Sequence, residues 1–431
     1  MIKSRLQPSK SNIAKSKFTS FRQQVGFVLS PWRSLDGLLL LSVLTVTVFG
    51  GFTIYSTELA GKHSYSYQHW LISVVGLIIT LMLARWHYQI LFRWHWLIYA
   101  LTNFSLIAVI LAGVSAKGAQ RWINIAGFNV QPSEFAKIAM VITLAALLHN
   151  QDSPNLKTIL RTLAITAVPW GLVFIQPDLG TSLVFGAIVV AMLYWANVNI
   201  GWLILLVSPL FSAILYNLYL PGWIVWVLMV MGISWLILPN RIISTLSALV
   251  INLGAVELGI VFWNVLKDYQ KDRLTLFLNP EHDPLGGGYH LIQSRIAIGA
   301  GGFWGKGWHQ GTQTQLDFIP EQHTDFIFSA VGEQFGFIGC LVLLSVFWLI
   351  CARLLWIANT AKDNFGSLLA IGTLTIIAFQ VIINISMTIG LAPITGIPLP
   401  WMSYGRSSLL TSFISIGLVE SVANYREHKV R

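Results

Sequence analysis

The chain has 431 residues, of which 55% are hydrophobic and only 10% are charged. Soluble domains carry about 25% charged residues, so this composition excludes an ordinary soluble protein and indicates one that lies in lipid. The net charge of +10 does not indicate nucleic-acid binding, because seven basic residues fall within the first 33 and precede the first apolar run. Most of the others lie in short loops, which is the pattern of retention on the cytoplasmic side.

The apolar runs predict an all-α polytopic membrane protein, a bundle of about 10–12 transmembrane helices with one large extracytoplasmic loop. In chain order the predicted segments are 37–57, 67–86, 91–114, 135–149, 158–175, 181–198, 200–219, 221–239, 241–266, 326–357, 364–391 and 405–424.

The predicted organisation has five parts. They are a basic cytoplasmic tail at 1–35, transmembrane helices with short loops at 36–266, the large extracytoplasmic loop at 267–324, further transmembrane helices at 325–424, and a cytoplasmic tail at 425–431. An even number of helices places both termini in the cytoplasm, and the loops then assigned to the inside are mostly basic. The large loop has five Lys or Arg and six Asp or Glu, so it shows no basic excess.

Asp325 is the first candidate for chemistry, because seven of the seventeen acids fall between Asp268 and Asp325. The following apolar segment places Asp325 at the N-terminal mouth of a helix, whose dipole favours the ionised carboxylate. A helical period puts four small or polar residues on the same face, namely Ser329, Gly332, Glu333 and Gly336. The alternative interpretations are a simple helix cap for Asp325 and a structural partner of a buried cation for Glu333.

Three further polar clusters could meet an anionic substrate. In GAQRWINIAGFNVQPSEFAK (118–137), Arg121 and Lys137 could bind a diphosphate, although Glu134 and Lys137 lie one turn apart and could instead form a structural ion pair. In QPDLGTS (176–182), Asp178 could bind substrate or cap the next helix. In the large loop, Arg273 could meet an anionic headgroup.

Eight short strings occur together in one order: GAQRW (118–122), QPSEFAK (131–137), QPDLGTS (176–182), DPLGGGYH (283–290), QSRIAIGAGG (293–302), GKGW (305–308), PEQHTDFIF (320–328) and PLPWMSYG (398–405). From about residue 37 to 424 they resemble the SEDS family (shape, elongation, division and sporulation), and GAQRW looks more like its RodA branch. The resemblance implies a peptidoglycan glycosyltransferase of the bacterial plasma (inner) membrane. Such an enzyme polymerises lipid II, the undecaprenyl-diphosphate-linked disaccharide-peptide, during cell elongation. The resemblance also implies a class B penicillin-binding protein and other elongation-complex membrane proteins as partners, and no nucleic acid.

The family's essential acid falls in the HTDF motif, so the resemblance implies that Asp325 is the general base on the acceptor sugar hydroxyl. Positive charge is needed at the departing diphosphate, and the candidates are Arg121, Lys137, Arg273 and Arg295. The remaining candidate substrate-binding residues are Glu134, Asp178, Glu321 and Ser403. We predict no metal-ligating residues, because the histidines have no compact ligand spacing, and no certain cofactor. A divalent cation, Mg²⁺ or Mn²⁺, could nevertheless share the task at the diphosphate.

Two departures from the family pattern stand out. Arg406 follows SYG where a second glycine is common, and the stretch 181–268 is long enough for two extra membrane segments within 200–266. Two other functions fit the sequence: a flippase or transporter for the lipid-linked precursor, which the polar stripe with Glu333 would suit, and a non-catalytic scaffold for cell-wall enzymes.

Overall fold

The computed structural model describes residues 35–58, 64–116, 119–125, 127–150, 154–265, 271–272, 275–277, 279–284, 286 and 288–426. The first helices are α1 (Gly37–Thr57), α2 (Ser64–Arg85) and α3 (Gln89–Ala112). A small antiparallel sheet follows, with strands β1 (Val114–Ala116), β2 (Ala119–Ile125) and β3 (Phe128–Val130) in the order β1-β2-β3. This sheet lies in a stretch that the sequence assigned to a loop, because its short strands carry no apolar run.

The chain then forms α4 (Pro132–Leu148), α5 (Leu156–Ile175), α6 (Leu179–Trp195), α7 (Ile200–Leu218), α8 (Leu220–Ile237) and α9 (Arg241–Val265). After a 3₁₀ turn at Pro280–His282 come α10 (Tyr289–Gly301), the single turn α11 (Thr312–Gln315), α12 (Ile327–Thr360), α13 (Asn364–Ile389) and α14 (Arg406–Asn424). Twelve of these helices coincide with the twelve apolar segments, whereas α10 and α11 lie within the predicted large loop.

The all-α polytopic membrane architecture is therefore confirmed. Within the described residues, nine helices are long and apolar enough to cross a membrane. Their outer faces carry large exposed apolar side chains such as Leu111 and Leu236, which only lipid can cover at this density. By contrast, α4, α13 and α14 are largely buried and pack against each other, so they form the centre of the bundle.

Helices α7, α8 and α9 form a separate group beside the main bundle, in the stretch 200–266 where the sequence predicts two extra segments. They pack on one another around Leu205, Val230, Leu238 and Ala248, while α7 also contacts α6. Inside the group, Asn252 donates a hydrogen bond to the Ser208 hydroxyl. The five-part division of the chain stays a prediction, and nearly all of both predicted tails lies outside the described residues.

The predicted large loop folds back onto the bundle through α10, which packs against α12. The buried carboxylate of Glu333 accepts hydrogen bonds from the backbone N–H groups of Gln313 and Thr314 at 2.9 and 3.0 Å. Lys306 approaches the same carboxylate to 3.4 Å. The small and polar face of α12 that begins at Ser329 thus packs against α10 and α11. Within this face, Glu333 has a structural role as the partner of Lys306.

Helix α12 is interrupted at Gly336, whose φ of 64° and ψ of −162° leave the helical region. The break exposes backbone groups that pair with the preceding loop: Phe337 N–H donates to the Gly302 carbonyl, and Gly307 N–H donates to the Gln334 carbonyl. A Cβ atom on Gly336 would lie 2.3 Å from the Gly305 nitrogen. Only glycine satisfies both the dihedral angles and this close approach.

Substituting Gly336→Ala should lower the free energy of unfolding by at least about 1–3 kcal/mol, because the conformation is forbidden to a residue with a side chain. The matched control is Gly299→Ala, where an added Cβ meets nothing within 4 Å. Thermal unfolding of the purified protein in detergent measures both variants. Equal midpoints for the two variants would contradict the assigned strain.

Candidate functional site

A cavity of about 770 Å³ opens among β2, β3, the N-terminal ends of α4, α6 and α14, and the segments 320–326 and 394–408. Ionisable side chains are concentrated in its wall. In the described part of the chain, its Arg, Lys, Asp and Glu residues are Arg121, Glu134, Lys137, Asp178, Asp272, Glu321, Asp325 and Arg406. Sequence reasoning had proposed six of these as site residues, from strings that lie up to about 200 positions apart, and the fold brings those six together.

The first turn of α4 supplies a buried ion pair to the wall. Pro132 begins the helix, where its missing N–H costs nothing. Lys137 Nζ lies 2.8 and 2.9 Å from the two carboxylate oxygens of Glu134, and both side chains are almost fully buried. Thr411 of α14 also donates to Glu134 at 3.3 Å. A pair this buried holds its charges in fixed positions, because neither can be left without its partner.

Asp178 caps a helix, as one of the two sequence interpretations predicted, and it also lies in the cavity wall, while substrate binding by it stays a prediction. As the N-cap of α6 it accepts a hydrogen bond from Thr181 N–H. It also lines the cavity, where Gln131 Nε2 donates to it at 3.1 Å. Arg121 lies 3.8 Å from the Asp178 carboxylate and donates to the backbone carbonyls of Gln176 and Pro177. The guanidinium is therefore fixed against the wall by a carboxylate and two carbonyls.

Asp325 lies in the turn before α12, two residues ahead of the first helical residue, Ile327. This agrees with the prediction that it stands at the mouth of the helix, although the N-cap position itself is held by Phe326. Its side chain lines the cavity. Glu321, four residues earlier, lines the same wall with a φ of 57°. A left-handed conformation in a glutamate stores strain, which is commonly concentrated at functional sites.

Hydrogen bonds from elsewhere hold this turn in place. Asn384 of α13 donates to the Asp325 carbonyl at 2.9 Å and to the Ile397 carbonyl at 2.8 Å. The Ser403 hydroxyl donates to the Thr324 carbonyl at 2.6 Å, and Tyr404 N–H donates to the His323 carbonyl at 2.8 Å. The segment carrying Asp325 is thereby fixed to the turn that precedes α14.

Two predicted substrate-binding residues, Ser403 and Arg295, lie outside the cavity wall. Ser403 is buried. Its hydroxyl donates to the Thr324 carbonyl and accepts from Leu399 N–H. Arg295 is also outside the wall, and its guanidinium donates to the carbonyls of Ile389 and Gly390. Both residues therefore support the backbone instead of facing the cavity. Arg273 lies outside the described residues.

The cavity wall also contains polar residues that the sequence had not indicated as site residues, among them Gln131, Asp272, Tyr404 and Arg406. Gln131 and Tyr404 belong to the QPSEFAK and PLPWMSYG strings, and Arg406 had been singled out as a departure without a role. Asp272 follows Lys271 in the acid-rich loop, and only the folding of that loop over the bundle brings it to the wall. Among the described residues, no three His, Cys, Asp or Glu side chains group as metal ligands.

Comparison with known proteins gives one consistent result. A family model for FtsW, RodA and SpoVE, described as cell cycle protein, matches residues 34–226 and 218–428. The chain is 37% identical to the peptidoglycan glycosyltransferase MrdB of Escherichia coli K12 over 396 residues, covering 91% of this chain and 94% of that protein. It is 35% identical to the peptidoglycan glycosyltransferase RodA of Treponema pallidum, covering 90% of this chain and 97% of that protein.

Two solved structures share the fold. A chain from a peptidoglycan synthase complex, solved in a study of how polymerization and crosslinking are coordinated, superposes with a TM-score of 0.69 at 27% identity, covering 92% of this chain and all of that one. The rod shape determining protein RodA of Thermus thermophilus superposes with a TM-score of 0.61 at 23% identity, covering 92% and 99%.

Replacing Asn384 by leucine should destabilise the protein, because the buried carbonyls of Asp325 and Ile397 would both lose their donor. Each unsatisfied buried group costs about 1–3 kcal/mol. Asn359→Leu is the matched control, since Asn359 is exposed and donates only to Leu355 of its own helix, and its effect should stay within about 0.5 kcal/mol. Thermal unfolding in detergent compares the two, and a silent Asn384→Leu would contradict the bridging role.

Proposed function

Because the chain belongs to the FtsW, RodA and SpoVE family of cell cycle proteins, on its RodA branch, we infer that it is a peptidoglycan glycosyltransferase. The structural observation that supports this inference is a cavity within a membrane bundle. Its wall contains Asp325 together with the cations Arg121 and Lys137. Such a cavity can receive a polar headgroup while the attached lipid remains in the bilayer. Its substrate would be lipid II, a disaccharide-peptide joined to undecaprenyl diphosphate.

We propose that Asp325 accepts the proton of the acceptor sugar's 4-hydroxyl group. The hydroxyl oxygen then forms the new bond to the anomeric carbon of the donor sugar, and the bond to the lipid diphosphate breaks with inversion. The released undecaprenyl diphosphate carries away the electron pair, so no nucleotide is needed. A positioned base of this kind contributes about 10²–10⁴-fold to the rate.

Arg121 and Lys137 would provide positive charge near the departing diphosphate, while Asp178 and Glu134 fix their positions. In this proposal Asp178 and Glu134 position the two cations and do not contact the substrate themselves. Glu321, on the same wall as Asp325, is proposed to contact the sugar. The cavity has five acids against three Arg or Lys in its described part, so a Mg²⁺ or Mn²⁺ ion would enter with the diphosphate.

The chain is a multi-pass membrane protein. We propose that it lies in the bacterial plasma membrane with both termini in the cytoplasm, so that the cavity opens to the outside where lipid-linked sugar is polymerised. Its similarity to a chain of a synthase complex supports a partner that crosslinks the product. We propose a class B penicillin-binding protein, together with other membrane proteins of the elongation complex.

A flippase is less well supported by the structure than by the sequence. The polar stripe that suggested a translocation path contains Glu333, whose carboxylate is used by the backbone of α11 and by Lys306. A scaffold without activity would have no need for the ionisable groups that line the cavity.

Asp325→Asn should reduce glycan polymerisation about 10²–10⁴-fold, because asparagine cannot accept the hydroxyl proton. The measurement uses purified protein with its cognate partner and labelled lipid-linked precursor, and the polymer is resolved by electrophoresis. The matched control is Asp283→Asn, which changes an exposed acid outside the cavity wall and should retain activity.

Unchanged polymerisation by a folded Asp325→Asn protein would refute the assigned base. Lipid movement across vesicles without polymer would support a flippase, and absence of both would support a scaffold.

The proposed sidedness can be tested with single cysteines in a background that lacks Cys340 and Cys351. Asp283→Cys should react with a membrane-impermeant maleimide added to intact cells, whereas Lys362→Cys should react only after the cells are opened. Both positions lie in segments between membrane helices and are not buried. The reverse labelling pattern would place the cavity on the cytoplasmic side and rule out the proposed polymerisation outside the cell.

A further inference from the structure

The Arg and Lys side chains of the cavity differ in how their charge is balanced. Lys137 is neutralised by Glu134 at 2.8 Å, and Arg121 lies 3.8 Å from Asp178. Arg406 is the third Arg or Lys in the described part of the wall. An anionic ligand gains most from a cation whose charge no carboxylate already balances. The partners of Arg406 therefore decide how strongly it can bind such a ligand.

All the partners of Arg406 in the described chain are neutral. Its Nε donates to the Gln68 side-chain oxygen and to the Tyr404 hydroxyl, both at 3.1 Å. Its Nη1 reaches the Gly127 carbonyl only at 3.5 Å. The guanidinium carbon lies 5.3 Å from the centre of the Phe128 ring. These contacts orient the guanidinium, and within the described residues they leave its charge uncompensated and Nη2 without a protein acceptor.

The position of Arg406 in its helix also argues against a purely stabilising role. It is the first residue of α14, and that helix has no acidic residue in its first turn. A cation at a helix N-terminus is opposed by the helix dipole. A bound anion would offset both this repulsion and the uncompensated charge.

We propose that Arg406 binds the diphosphate of the lipid-linked substrate and stabilises it as a leaving group, an inference that rests on the proposed function. A guanidinium offers two parallel N–H groups to phosphate oxygens, and Nη1 and Nη2 are the donors that remain available. The hydrogen bonds of Ser403 and Tyr404 to Thr324 and His323 fix Arg406 relative to the segment that carries Asp325. The proposed base, Asp325, and the proposed diphosphate-binding cation, Arg406, are thus connected through these hydrogen bonds.

The test measures binding to full-length protein in nanodiscs, so it does not depend on polymerisation. The probes are undecaprenyl diphosphate and undecaprenol, which share the lipid and differ in the charged group. Arg406→Gln should weaken diphosphate binding about tenfold or more, since a charge-assisted hydrogen-bonded contact is lost. Undecaprenol binding should not change. Arg406→Lys should lie between wild type and Arg406→Gln, because it keeps the charge without the paired donors.

Two kinds of control separate charge from architecture. Gln68→Ala and Phe128→Ala remove single orienting contacts and keep the guanidinium, so they should weaken diphosphate binding clearly less than Arg406→Gln does. Arg295→Gln removes a cation outside the cavity wall and should also have no effect. If Gln68→Ala or Phe128→Ala weakens binding as much as Arg406→Gln does, Arg406 is only a strut and the proposal is overturned. Unchanged diphosphate binding by Arg406→Gln would overturn it equally.

A further arm identifies the anion, because the stem peptide of lipid II also carries carboxylates. The lipid-linked disaccharide with and without its peptide should lose the same factor in affinity on Arg406→Gln. A loss seen only with the peptide would refute binding to the diphosphate. Failure of Asp325→Asn to reduce polymerisation would contradict the catalytic proposal while leaving this binding result intact, so the two failures can be told apart.

Discussion

The site depends on one set of hydrogen bonds that ties the turn before α12 to the turn before α14. Asn384 donates to the carbonyls of Asp325 and Ile397, and the Ser403 hydroxyl donates to the Thr324 carbonyl. Neither turn is helical, so the carbonyls of Thr324, Asp325 and Ile397 depend on donors from other segments. In a membrane bundle such irregular backbone persists only where it contacts protein or lines a water-filled cavity. Here the hydrogen bonds provide the protein contacts, and the cavity lies on the other side of the two turns.

The same constraint explains the division between residues that face the cavity and residues that support it. Glu134 and Asp178 are carboxylates whose main contacts are Lys137, Arg121 and the α6 N-terminus. Their burial makes an unpaired charge costly, so each acid fixes a cation. Arg406 is the exception, since its contacts are neutral. In the described part of the wall, two acids are therefore paired with cations, whereas the charge of Arg406 has only neutral partners.

Helices α7–α9 leave this arrangement undisturbed because they pack on one another beside the bundle. Their inner surface has its own apolar cluster and a hydrogen bond between Asn252 and Ser208. A group of helices with its own core needs few contacts with the rest of the bundle. In the described part of the chain, none of the residues that line the cavity lies on these three helices.

By itself the sequence determined the membrane class, the twelve apolar segments and six of the charged cavity residues, because helix length, apolar runs and short motifs are local properties. It also determined that Asp325 precedes α12 closely. Only the tertiary structure decided that Ser403 and Arg295 serve backbone carbonyls, that Glu333 caps α11, and that Arg406 keeps its charge unbalanced. These roles depend on groups that meet across 20 to 338 positions of chain, and such long-range hydrogen bonds leave no trace in the local spacing of residues.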